Sequence, residues 1–174
     1  GEEDFEQRCK SIRNLFFDSF NFHKITCVHC FLPILKNREI NTWLIIEGLR
    51  TLHPPVDIAV SVSNFQSMEM ENYLLTENTQ LIDNKWGIPE PVNAELLPSE
   101  KIDLVLLPLL AFDEQGHRVG YGKGFYDRFL SKCRPDLVTI GLSLEPPIPF
   151  IEGTHEYDYK MDYAITPEKV WSFD

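Results

Sequence analysis

Long apolar runs are missing from this sequence. None approaches the roughly 18 residues needed to cross a bilayer, and the chain does not open on the basic-then-apolar pattern of a signal peptide, so a cytoplasmic protein without a membrane partner is expected. Cysteine is scarce: Cys9, Cys27, Cys30 and Cys133 are too few and too scattered for a disulfide framework in 174 residues. Basic residues are also under-represented, with 16 Lys and Arg against 27 Asp and Glu and a formal charge of −11. That balance excludes a general binder of nucleic acid or anionic membrane, both of which attract basic surfaces. There is no internal repeat, low-complexity tract or long linker. With 43% hydrophobic and 25% charged residues, residues 1–174 suit one ordinary globular domain, and a monomer is expected.

Metal and redox signals are thin as well. Cys27-Val28-His29-Cys30 has C-x-x-C spacing, but it lies in an apolar run that reads as a strand. Residues three apart in a strand point to opposite faces, and no second pair completes a four-ligand set. His155 has no histidine partner at metal spacing.

What is present is concentrated between residues 104 and 130. Leu104-Val105-Leu106-Leu107, ending at Pro108, has the character of a strand buried on both faces. A loop with alternating glycines follows, in which Gly120, Gly122 and Gly124 can take positive φ and let backbone N–H groups converge on an anion. Arg118 and Lys123 add positive charge, and Phe125 to Leu130 reads as the start of a helix whose N-terminus faces the same anion. A polyphosphate needs this arrangement. It is neither a Walker A loop, since Gly124 follows Lys123, nor a Rossmann loop, since the spacing is G-x-G-x-G. Spacing alone favours a tight connection without a ligand, but a turn requires none of Arg118, Lys123 or Asp127.

Around this segment helical and strand patterns alternate. Phe5, Cys9, Ile12, Phe16 and Phe20 make an amphipathic stripe over residues 2–20. Residues 25–32 read as a buried strand, and 40–52 as a helix capped by Asn41 or Thr42. Residues 56–62, 68–75, 79–82, 137–144 and 163–166 read as further strands. The alternation predicts an α/β sandwich, mainly parallel, with ligands at the C-terminal ends of strands.

The string Phe112-Asp113, Gly116, Arg118-Val119-Gly120, Gly122-Lys123-Gly124-Phe125-Tyr126-Asp127 closely resembles the signature of the 5-formyltetrahydrofolate cyclo-ligase family. Leu109 departs from it, standing where the family commonly has glycine. Three further stretches are similar to family elements: Glu39-Ile40-Asn41-Thr42, Trp86-Gly87-Ile88-Pro89-Glu90-Pro91, and the tail from His155 to Asp162. The resemblance implies a three-layer α/β/α version of the sandwich. It also implies ATP binding by Arg118, Val119, Gly120, Tyr121, Gly122, Lys123, Gly124, Phe125 and Tyr126, with Lys123 and Arg118 compensating charge on the transferred phosphoryl group. Mg²⁺ would be held by Asp127 and Asp158, while Asp162 reads as a solvated carboxylate. Glu39 would contact the folate near its reacting nitrogens, and Trp86 with Phe31, Tyr121 and Phe125 would shape a pterin slot. Family members usually carry an earlier basic helix that reaches the phosphates; this sequence does not contain it, which leaves either a trimmed sequence or a phosphate site less basic than in relatives, and Lys10 and Arg13 are not safe substitutes.

The implied reaction is the ATP-dependent conversion of 5-formyltetrahydrofolate to 5,10-methenyltetrahydrofolate, with release of ADP and phosphate. Two alternatives remain at this point. One is a folate- or nucleotide-binding module of the same fold without turnover. The other is an α/β enzyme acting on a sugar phosphate or acyl-CoA.

Overall fold

The computed structural model describes residues 1–120, 124–153 and 159–173. The apolar stripe at the N-terminus forms helix α1 (Glu2–Ser19), with Phe5, Cys9, Ile12 and Phe16 buried. Glu2, Glu3 and Asp4 complement the positive end of its dipole. Phe20 falls just outside the helix in extended conformation, and its ring meets Tyr163 edge-on at 5.0 Å.

Strand β1 (Cys27–His29) is shorter than the apolar run around it. It leads through a 3-10 turn at Leu35–Asn37 into helix α2 (Trp43–Arg50). Neither predicted cap closes α2 in the expected way. The Thr42 hydroxyl donates to the Phe31 carbonyl at 2.7 Å, and Asn41 Oδ1 accepts from the Trp43 N–H at 3.3 Å. Gly48 in α2 lets the Phe17 ring of α1 press against the helix backbone, in space that a Cβ would occupy.

Strands β2 (Asp57–Asn64) and β3 (Glu69–Leu75) form a long antiparallel hairpin. Next come β4 (Gln80–Asp83) and β5 (Pro89–Val92), a separate two-stranded ribbon. The proline-rich segment after Trp86 is therefore half a strand rather than wholly a stiff loop; prolines are tolerated in such a ribbon because its outer edge needs no N–H donor. A short β6 (Leu96–Leu97) precedes β7 (Leu104–Leu107), every residue of which is buried. The small hairpin β8 (Ala111–Phe112) and β9 (Arg118–Val119) leads to helix α3 (Phe125–Lys132). Strands β10 (Val138–Leu142), β11 (Tyr163–Ile165) and β12 (Val170–Ser172) complete the chain.

The main sheet has the order β12-β11-β10-β7-β1-β2-β3-β6. Its centre, from β11 to β2, is parallel, and the flanking pairs are antiparallel. Helices α1 and α2 bury Val28, Cys30, Ile58, Leu104, Leu106 and Ile140 on one face. Phe129 and Leu130 of α3 cover Cys27, Ala59, Val105 and Leu107 on the other. The expected three-layer sandwich is thus present, and Cys27 and Cys30 do lie on opposite faces. Burial pushes both thiols up to about 12, so neither is poised as a thiolate. Among the described residues no helix is long and apolar enough to cross a membrane.

Candidate active site

Because β1 lies between β2 and β7, connections leave the C-terminal ends of β1 and β7 toward opposite sides. Such a switch point opens a crevice beyond the strand ends, where α/β sheets bind ligands. The loops entering this crevice are those after His29 and after Leu107.

The β7 loop is anchored by Asp113, a fully buried carboxylate. Its Oδ1 accepts from the N–H groups of Gln115 (3.0 Å) and His117 (2.9 Å), and its Oδ2 from His117 Nδ1 (3.1 Å) and the Ile151 N–H (3.1 Å). Burial opposes the charge, but these donors outweigh it and hold the carboxyl below its ordinary value. The turn that they fix delivers Arg118 and Val119 to the crevice.

Arg118 Nη2 lies 3.0 Å from Asp127 Oδ1, and Nη1 donates to the Tyr159 carbonyl at 3.1 Å. The Tyr159 N–H reaches the same Asp127 oxygen at 3.3 Å. Arg118 Nε is buried without a hydrogen-bond partner among the described residues. Gly124 is the residue before α3 and is left-handed, with φ 68°; a Cβ there would lie 3.1 Å from Arg128 Nη1. Gly120 does not use positive φ, contrary to expectation, and a Cβ there would meet no described atom within 4 Å. Tyr121, Gly122, Lys123 and Asp158 lie outside the described residues.

A second group of side chains converges on the start of α3. The Trp86 ring, in the β4–β5 turn, packs on Phe65, in the β2–β3 turn, with centroids 4.4 Å apart and planes 37° apart. Phe65 in turn meets Phe125, the first residue of α3, edge-on at 5.1 Å. Trp86 and Phe65 remain 47% and 43% exposed, which leaves a broad aromatic wall open to a ligand. Asn84 shapes the Trp86 turn by accepting from the Trp86 and Ile88 N–H groups at 2.9 and 3.0 Å. The Lys36 side chain comes within 3.7 Å of a Cβ position on Gly87, so the 3-10 turn of the β1 loop borders the Trp86 turn.

Glu39 belongs to that β1 loop. Its Oε1 accepts from the Ile34 N–H at 2.9 Å, while Thr42, three residues on, ties Phe31. Both ends of the Glu-x-x-Thr element therefore brace the loop. Phe31 is half-buried against the α1–α2 core, and no ring contact among the described residues joins it to the aromatic wall.

For Mg²⁺, no three His, Cys, Asp or Glu side chains converge among the described residues. A hard cation held mostly by phosphate oxygens needs only one or two carboxylates. Asp127, 31% exposed in the first turn of α3, is a donor of the right kind, although Arg118 already shares its charge. Asp162 is exposed as expected, yet its Oδ2 accepts from the Thr139 N–H at 2.9 Å and the Thr139 hydroxyl at 3.2 Å, a structural tie.

Sequence reasoning missed four residues here. Phe65 and Arg128 gave only generic signals, an exposed aromatic after a strand and a helix charge. Arg128 donates to the Met68 carbonyl at 2.6 Å, joining α3 to the β2–β3 turn. His29 was legible as an ionisable group in a strand buried at every position, but the C-x-x-C spacing around it is the stronger signal. Its partner Asn72 carried a similar signal on β3.

The chain resembles two solved folds. A 5,10-methenyltetrahydrofolate synthetase of Aquifex aeolicus matches with a TM-score of 0.75 and 23% identity over 99% of this chain and 84% of that one. One from Mycoplasma pneumoniae matches at 0.72 and 17%, over 95% and 88%. In sequence, a protein of Schizosaccharomyces pombe named probable 5-formyltetrahydrofolate cyclo-ligase is 39% identical over 58% of this chain. The match spans 57% of that relative's length. The 5-formyltetrahydrofolate cyclo-ligase of Escherichia coli strain K12 is 34% identical over 78% of this chain and 75% of its own. The model of one family matches residues 2–167, nearly the whole sheet together with its glycine loop and its Trp86 turn, and the chain belongs to that family, the 5-formyltetrahydrofolate cyclo-ligases.

Proposed function

We propose that this protein converts 5-formyltetrahydrofolate to 5,10-methenyltetrahydrofolate at the expense of ATP. The observation that carries the proposal is the double position of Phe125. It closes the aromatic wall of Phe65 and Trp86, and it is also the first residue of the helix whose N-terminus follows the glycine loop. A flat ring and a polyphosphate would therefore lie side by side, as transfer of a group between them demands. Arg118 Nε, without a partner among the described residues, points the same way. A buried donor left unmade costs about 1–3 kcal/mol, which an anion at the loop would relieve.

In this mechanism the formyl oxygen attacks the γ-phosphorus, and the bond from that phosphorus to the bridging oxygen breaks to release ADP. The resulting iminophosphate is attacked by N10, which loses its proton as the ring closes and phosphate departs. The protein's part is placement and charge neutralisation. Backbone N–H groups from Gly120 to Gly124 cradle the phosphates, and Lys123 and Arg118 balance the charge that spreads over the transferred group. Glu39 orients the formyl and N10 region from its braced loop. Mg²⁺, held by Asp127 and Asp158 together with phosphate oxygens, would add further positive charge.

Incubation with 5-formyltetrahydrofolate and Mg-ATP should produce methenyl absorbance and ADP in equal amounts. Absence of product where a positive control reacts rejects the proposal, and binding of both ligands without ADP release would identify a non-catalytic module instead.

A further inference from the structure

His29 has no part in the reaction scheme above, yet it sits at the C-terminal end of β1 beneath α3, its ring 5.1 Å from that of Phe129. It is the last residue of β1 and is fully buried. In register beside it on β2 is Ala59, whose small side chain lets the imidazole reach across to β3. There Nδ1 lies 2.6 Å from Asn72 Oδ1. On its other side Nε2 lies 2.9 Å from the Tyr126 hydroxyl of α3. Since Asn72 Oδ1 can only accept, Nδ1 carries the proton, and the bare Nε2 accepts from Tyr126. Burial pushes the His29 pKa down to about 4, so the ring stays neutral and keeps that acceptor at neutral pH.

The consequence lies in the geometry of α3. Successive helical residues are about 100° apart around the axis, so Phe125, Tyr126 and Asp127 face three directions. Phe125 meets the aromatic wall, Tyr126 meets His29, and Asp127 meets Arg118. Fixing the middle residue to the sheet fixes the rotation of the helix, and with it the direction of its N-terminal N–H groups. We propose that His29, locked in its Nδ1–H tautomer by Asn72, is a positioning residue that sets the anion-binding end of α3 through the Tyr126 hydroxyl. The choice of ATP as the affected ligand rests on the function proposed above.

The test compares wild type with Tyr126→Phe, His29→Leu, the double variant, and His29→Gln, whose amide oxygen can still accept from Tyr126. Tyr126→Phe and His29→Leu should each raise the KM for ATP about tenfold, the effect of one net hydrogen bond. In His29→Leu the kcat and the KM for 5-formyltetrahydrofolate should stay within about twofold. His29→Gln should restore most of the ATP affinity, and the double variant should be no worse than the worse single one. A parallel rise in both KM values, unchanged kinetics, or multiplying effects in the double variant would overturn the proposal. Two readouts do not depend on turnover. Imidazole ¹⁵N spectra of the wild type should show Nδ1 protonated and Nε2 bare, and a proton on Nε2 overturns the proposal. The Arg128 amide, bonded to the Gly124 carbonyl at 3.1 Å, should exchange about tenfold faster in Tyr126→Phe, whereas unchanged protection overturns it. If wild type makes no methenyl product, the functional proposal fails and these two measurements still judge the clamp. Should His29→Leu not fold, Tyr126→Phe carries the same decision.

Discussion

Acidification should destabilise this protein through a single imidazole before its carboxylates begin to matter. His29 has an ordinary pKa of 6.5 and a folded value of about 4, set chiefly by burial, with the Asn72 hydrogen bond opposing. Because the folded value is the lower one, the unfolded chain takes up the proton first as the pH falls. The stability that goes with the neutral ring is fully present above pH 6.5 and is lost as the pH descends toward 4. The loss works out to about 2 kcal/mol between pH 7 and pH 5, and about 3 kcal/mol by pH 4. Asp103 and Asp113 act in a lower window. Burial works against both charges, but hydrogen bonds hold each carboxyl below 3.8, so their contribution falls away only beneath that value. Urea unfolding of wild type and His29→Gln at pH 7, 6 and 5 isolates the effect, because the other histidines of the five in the sequence are common to both proteins. The wild-type stability should drop about 2 kcal/mol more steeply. Parallel pH profiles would show that His29 is not buried as a neutral ring.

Gly141→Ala should cost about 1–3 kcal/mol by overpacking, because its Cβ would collide with Met161 Sδ and approach Leu109 Cδ2 at 2.7 Å; a urea midpoint within error of wild type refutes the close packing. Trp86→Leu should raise the KM for 5-formyltetrahydrofolate about tenfold while that for ATP moves less than about twofold, as expected from losing one aromatic contact; steady-state kinetics with each substrate varied checks this, and equal effects on both would remove Trp86 from the pterin side. Arg118→Gln should lower kcat/KM for ATP by at least about tenfold, since it loses both the charge and the tie to Asp127; a near-normal value would make Arg118 purely structural.

The elements that could be read from the sequence were those with one dominant signal. Strand β7 is an unbroken branched apolar run, and α1 carries its stripe at three- and four-residue steps, so both appear where the pattern places them. The β4–β5 ribbon was half concealed because Pro89 and Pro91 argue against a strand, an argument that fails where no neighbour needs the N–H. Strands β8, β9 and β12 are too short to show any period. In the candidate site, Arg118 was marked by its charge beside the glycines, the roles of Asp127, Phe125 and Trp86 came from the resemblance, and the structure adds the Arg118–Asp127 and Phe125–Phe65–Trp86 contacts. Phe65, His29 and Asn72 escaped because their importance lies in partners far along the chain, 43 residues apart in the case of His29 and Asn72. Thr42 was named as a cap on residue type alone, and the competing Phe31 carbonyl was not visible there.

The ribbon bearing Trp86 forms a sheet of its own, apart from the eight-stranded ladder. The crevice thus has a floor of parallel strands and a wall that meets the β2–β3 turn and α3 through the rings of Trp86, Phe65 and Phe125, and the core through Leu81. No strand pairing among the described residues joins the ribbon to the ladder, so side-chain packing sets where Trp86 stands.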